Sequence, residues 1–183
     1  MASLVLTGDT SGQVTVSAPA VAGTTTITMP AVSGTMVVLP TTPSMVRLNT
    51  ANGYGSTNTV IRRFTTAVTN QGSDITYADS ATLGATFTIN TTGIYSVSYT
   101  EAFTTAGSIL GISLNSNQLT TAIYNITQSN ILMTSRTGAG EPGAASWTGL
   151  LTATDVIRAH TAGNAAGTVG GSASTFFTIV RVS

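Results

Sequence analysis

Thr86-Phe87-Thr88-Ile89, followed by Gly93-Ile94-Tyr95-Ser96-Val97-Ser98-Tyr99-Thr100-Glu101-Ala102-Phe103, is the stretch on which the reading of this chain turns. Phe87 and Ile89 share one side of the first run. Tyr95, Val97, Tyr99 and Phe103 share one side of the second, against Ser96, Ser98 and Thr100. Successive side chains of a strand point to opposite faces, so this period of two predicts two strands, each with one face turned to a core.

Working outward, Ile109–Leu114, 130–135, 146–151, Val156–Thr161 and 175–182 read as further strands. Asn115-Ser116-Asn117 ends one of them in a hairpin-like turn, since asparagine tolerates left-handed backbone. The glycine-rich run 138–143 reads as a loop, because it precedes no helix signal and carries no phosphate-binding lysine. No window repeats at i, i+3, i+4 and i+7 behind a helix cap. Seven to nine strands in residues 46–183 need two packed sheets to bury their alternating faces, which predicts an all-β sandwich or jelly roll.

The composition agrees. Among 183 residues are 37 threonines, 19 serines and 19 glycines. Threonine suits a pleated, half-buried surface and glycine punctuates turns. Six arginines, no lysine and six carboxylates give a formal charge of zero, so nothing is available to neutralise a run of phosphates and no nucleic-acid partner is expected. Anionic membranes are disfavoured for the same reason, and neither a signal sequence nor an 18-residue apolar span is visible. With no cysteine and one histidine, disulfide, thiolate and multi-histidine metal chemistry are excluded.

The chain is expected to divide near residue 40. Residues 13–17, 24–29 and 35–39 are short β-prone runs, and Pro19-Ala20-Val21-Ala22-Gly23-Thr24 recurs as Pro30-Ala31-Val32-Ser33-Gly34-Thr35. Residues 1–39 contain no aromatic and only one charge, Asp9. They bury too little alone to offset their ordering entropy, which predicts an arm that packs on a partner. Val14, Val16, Ile27, Met29 and Val37 are its candidate contacts. Residues 40–45, with two prolines, read as a linker, and 46–183 as the body.

Taken in order, the motifs carry a resemblance. Asn70-Gln71-Gly72, the apolar strand 86–89 and Gly93-Ile94-Tyr95-Ser96-Val97-Ser98-Tyr99 resemble the heart of the jelly roll shared by the globular head of the first complement component and by tumour necrosis factor. Leu151-Thr152-Ala153-Thr154-Asp155-Val156-Ile157 resembles that family's Leu-x-x-Gly-Asp-x-Val, with Thr154 in place of glycine. Ser174-Thr175-Phe176-Phe177-Thr178 resembles its closing Ser-Thr-Phe-x-Gly, with Thr178 at the glycine position. The resemblance implies a homotrimer, in which Tyr95, Val97, Tyr99, Phe103 and Phe176 form either core or three-fold interface. Residues 1–39 are similar to segments near the start of tailed-bacteriophage virion proteins, which implies a virion location.

For chemistry the inventory is thin. His160 and Asp155 lie about 16 Å apart along an extended strand, too far for a catalytic pair. Asp155 is expected to cap the turn before Val156. His160 is expected at a strand end or in a proton-sensitive contact. Asp74 and Asp79 are too few for a calcium cage, and no metal or other cofactor is expected. Arg62-Arg63 point to opposite faces, either as a solvated rim pair or with one reaching a carboxylate across a subunit interface. Trp147 is a core residue or a platform for stacking on a sugar.

Two functions remain open. One is a capsid decoration, or cement, protein: a homotrimeric knob on the virion surface whose arm contacts the major capsid protein or another virion protein. The other is a short tail fibre or receptor-binding tip that recognises a host surface glycan. No heptads or shaft-length repeats precede the body, which favours decoration.

Overall fold

The computed structural model describes residues 3–7, 11, 13–17, 43–104, 107–162 and 175–183. The chain forms two compact units, Met1–Val38 and Leu39–Ser183. In the first, β1 (Ser3–Thr7) pairs antiparallel with β2 (Gln13–Ser17), Ser3 opposite Ser17 and Thr7 opposite Gln13. Backbone atoms of Val14 and Val16 lie in β2. Ile27, Met29, Val37 and the remaining short runs of the arm lie outside the described residues.

Within the described residues, the second unit has ten strands. They are β3 (Met45–Tyr54), β4 (Arg62–Gln71), β5 (Ile75–Ala78), β6 (Thr86–Ile89), β7 (Gly93–Ala102), β8 (Ile109–Leu114), β9 (Ile131–Arg136), β10 (Pro142–Leu151), β11 (Val156–Thr161) and β12 (Phe176–Arg181). They form two antiparallel five-stranded sheets, ordered β10-β7-β12-β3-β4 and β5-β6-β11-β8-β9. From β6 onward the chain crosses repeatedly between them, which is the winding of a jelly roll. This all-β sandwich is the fold that the alternation of residues 86–103 predicts.

The strand count exceeds the expected seven to nine. β3 and β4 lose their clean period of two at register shifts near Arg47/Leu48 and Ala51/Tyr54. β10 begins at Pro142, not at 146, because Pro142–Ala145 pair with Tyr99–Ala102 and so extend the ladder into the glycine-rich run. Gly143 is buried in that strand, where a Cβ would fall 2.5 Å from the Thr137 side chain. The turn expected at Asn115 does start there, with φ at +50°, yet the connection to β9 runs on through two short 3-10 turns, Ile123–Asn125 and Gln128–Asn130.

The core lies between the sheets. Val46 and Leu48 of β3, Tyr95, Val97 and Tyr99 of β7, and Phe177 and Ile179 of β12 meet Phe87 and Ile89 of β6, Leu110 and Ile112 of β8, and Ile157 and Ala159 of β11. At its centre Phe87 stacks on Phe177 with ring centroids 4.4 Å apart, and Phe177 also meets Tyr99 (5.8 Å) and Phe64 (6.2 Å). Each such pair adds about 0.5–1.5 kcal/mol beyond the area that it buries.

Candidate assembly surface

Alternation that fills the core also fixes what the first sheet shows on its other side. Outward from β7 point Ile94, Ser96, Ser98 and Thr100; from β12, Phe176, Thr178 and Val180; from β3, Met45, Arg47 and Asn49; from β10, Ala144, Ser146, Thr148 and Leu150. In register, Ser98 is flanked by Ser146 and Thr178, while Thr100 is flanked by Ala144 and Phe176. Across these four strands the outward residues carry one charge, Arg47, whose guanidinium lies over the Phe176 ring at 5.4 Å. Leu150 at one margin is 61% exposed. The face spans four strands and is almost free of charge.

Tyr95, Val97, Tyr99 and Phe103, read from sequence as core or interface, are all fully buried within the single chain, so they belong to the core. Phe176 does not join them. Its neighbour Phe177 takes the core position, and Phe176 is half-buried on the outer face. That face includes Ser96, Ser98 and Thr100, the side of β7 that the sequence reading set opposite the apolar one. The signal available beforehand was the lack of charge on the polar side of several strands at once.

For Arg62 and Arg63, the partners are inside the chain, not across an interface. Arg62 is buried and its Nε donates to Glu101 Oε2 at 2.9 Å, with a second, close contact between its terminal nitrogen and Glu101 Oε1. The Tyr99 hydroxyl donates to the same carboxylate, and the Arg62 guanidinium lies 4.4 Å from the Tyr54 ring centroid. Burial holds the Tyr99 phenol protonated well above its ordinary range. Arg63 pairs with Asp79 near the surface, Nη2 to Oδ2 at 2.9 Å. A partner 39 residues away cannot be seen in an adjacent Arg-Arg pair, and only the fold brings it there.

Asp155 caps its turn: Oδ2 accepts from the Thr152 amide (2.7 Å) and hydroxyl (3.0 Å), and Oδ1 from Asn115 Nδ2 (2.7 Å). Although partial burial opposes the charge, these bonds outweigh it and lower its pKa. Asp74 is held below the usual carboxylate range by the hydroxyls of Thr91 and Ser44 and by Arg181, whose Nη1 lies 3.3 Å away. His160 is fully buried, and Nε2 meets the Thr121 carbonyl at 2.8 Å. Trp147 is half-buried against the core, its ring lying over Gly149, where a Cβ would come within 2.5 Å of it. Among the described residues no three metal-ligating side chains cluster, and no helix is long and apolar enough to cross a membrane.

The jelly roll has solved counterparts. Murine APRIL crystallised at pH 8.0 superposes with a TM-score of 0.54 and 16% identity, covering 77% of this chain and 100% of that one. Murine APRIL at pH 8.5 gives 0.55 and 15%, with the same coverage. These likenesses establish a tumour-necrosis-factor-like jelly-roll fold for the body. No protein-family model matches the chain, and no curated protein matches it.

Proposed function

We propose that this protein is a non-enzymatic structural component of a bacteriophage virion, a homotrimeric knob that decorates the capsid surface and stabilises the shell. The observation that supports it best is the outer face of the β10-β7-β12-β3 sheet. A face of small hydroxylated and apolar side chains with one arginine costs little to desolvate, and closed cyclic symmetry buries such a face without leaving a sticky end. Residues 1–39, similar to segments of phage virion proteins, would attach the knob to the major capsid protein or another virion protein. A trimer bridging neighbouring subunits binds only the assembled shell, and so stabilises it as any ligand specific for one state does.

Light scattering should read about 55.5 kDa, three times 18.5 kDa. A shortened chain beginning at Thr41 should still trimerise, yet fail to coat purified shells that lack the native protein. Normal coating by the shortened chain would remove the arm from its attachment role. Binding of the knob to host cells or purified surface polysaccharide would replace decoration by receptor recognition at a tail tip.

A further inference from the structure

Part of the outer face of the second sheet, at β8 and β11, is covered by its own chain. Residues 115–130, between β8 and β9, fold back over β8 and β11 as a strap. Ile123 is fully buried there and sits against Gly111, where a Cβ would fall 2.7 Å from its side chain. The strap is internally tied, the Thr127 amide and hydroxyl donating to Gln118 Oε1 at 2.7 and 2.8 Å, and Asn130 Nδ2 ties its end to β8 by donating to the Leu114 carbonyl at 2.7 Å. Two side chains of β11 hold it to the sheet. Arg158 Nη1 donates to the Ser116 carbonyl at 3.3 Å, and His160 Nε2 meets the Thr121 carbonyl at 2.8 Å.

We infer that this strap is an acid-released cover and that His160 is its latch. A carbonyl oxygen only accepts, so the contact with Thr121 requires the proton on Nε2 and leaves Nδ1 as the bare acceptor of a neutral ring. Nδ1 is buried and has no hydrogen-bond partner among the described residues. Protonating it would place a charge and an orphan donor in a closed site, where either is costly.

Among the described residues, no carboxylate acts on the ring to compensate that charge. Arg158, two residues along the same strand, repels it. β8 brings Gly111 and Ser113, and the segment before β4 brings Ile61, paired with His160 by an isolated bridge. The strap's one titratable group is Tyr124, which is exposed. Asp155, the carboxylate bonded to the strap, engages its root at Asn115. Burial pushes the imidazole below its ordinary 6.5; the Thr121 carbonyl opposes that shift, and Arg158 adds a smaller push in the same direction as burial.

The sign follows from linkage. Above pH 6.5 the ring is neutral whether the strap is closed or open, and closure is unaffected. Below it the open strap binds the proton more readily than the closed one. The opening constant therefore rises about tenfold per pH unit until the closed form itself is protonated.

His160 is the chain's single histidine, so labelled imidazole in the full-length protein gives one assignable set of NMR signals. The ring should be the Nε2-H tautomer at pH 7.5 and should titrate below 6.5. Hydrogen exchange at the amides of Asn125, Thr127 and Asn130, corrected for intrinsic chemistry, should be faster at pH 5 than at pH 7.5, by about tenfold for each pH unit below 6.5 over which the closed form stays neutral, while Val97 and Ile179 stay protected. In His160→Gln, which keeps a neutral donor, that difference should vanish. A ring that titrates at 6.5 or above would overturn the inference, as would acid loosening of equal size in the glutamine variant. Should that variant fail to fold, the imidazole titration of the unaltered protein decides alone.

Discussion

Arg62 and Glu101, 39 residues apart in sequence, form an ion pair inside the sandwich, their side chains 3% and 0% exposed. Tyr99 donates to the same carboxylate and Tyr54 lies under the guanidinium, so the charges are enclosed by aromatic rings. Such a pair adds little net stability over an apolar replacement, but removing one member strands the other. Glu101→Gln should therefore destabilise folding by about 3–5 kcal/mol, and Arg62→Met combined with Glu101→Leu should recover most of that loss. Urea unfolding of the three chains checks it. A single-variant loss below about 1 kcal/mol would mean that water reaches the pair.

Tyr99 tests the core directly. Tyr99→Ala should cost about 3–5 kcal/mol, the range for emptying a large buried aromatic site. Tyr99→Phe keeps the tilted ring contact with Phe177 and loses only the bond to Glu101, for about 1.5–3 kcal/mol. Thermal melts that leave the alanine variant within a degree of the unaltered protein would contradict the observed register.

Thr154 stands where the resembled family has glycine, and its φ is +81°. The Asp155 amide bonds to the Thr152 carbonyl at 3.0 Å, which puts Thr154 at the third position of a four-residue turn, where a positive φ belongs to glycine. Thr154→Gly should relieve that strain and, after the added chain entropy of glycine, raise stability by about 1 kcal/mol. A lower melting temperature for the glycine variant would show that the threonine side chain holds the turn.

Ser98 lies at the middle of the bare face, between Ser146 and Thr178, and points away from the core. Ser98→Arg should leave the far-ultraviolet circular dichroism unchanged while light scattering falls from about 55.5 to 18.5 kDa, because three buried arginines would face one another without partners. A variant that stays trimeric would move the assembly surface elsewhere.

Acid acts at a second place, below the range of His160. Asp74 has a lowered pKa in the folded chain, so the stability that it contributes is complete above its ordinary 3.8 and is lost as pH falls through the lower folded value. Asp74→Asn should be less stable than the unaltered protein at pH 7. The two should converge near pH 2, read as urea midpoints at each pH. An equal gap at both values would assign the effect to packing instead of charge.

The sequence by itself determined the sandwich and its registers wherever the period of two was unbroken. Phe87 and Ile89, and Tyr95 through Phe103, name their own core face, because a one-residue slip would turn every apolar side chain to water. Val156–Thr161 and Ile109–Leu114 were legible for their β-branched and apolar content. Tertiary structure decided the rest. It chose Phe177 over Phe176 for the core, a choice that two adjacent phenylalanines cannot reveal. It set Glu101 against Arg62, Asp79 against Arg63 and Thr121 over His160, pairs between segments 39, 16 and 39 residues apart that no local pattern links. It also joined the outward faces of β10, β7, β12 and β3 into one nearly uncharged surface. Local periodicity fixes which side of a strand is buried, whereas strand order, and hence what each exposed side adjoins, follows only from how distant segments pack.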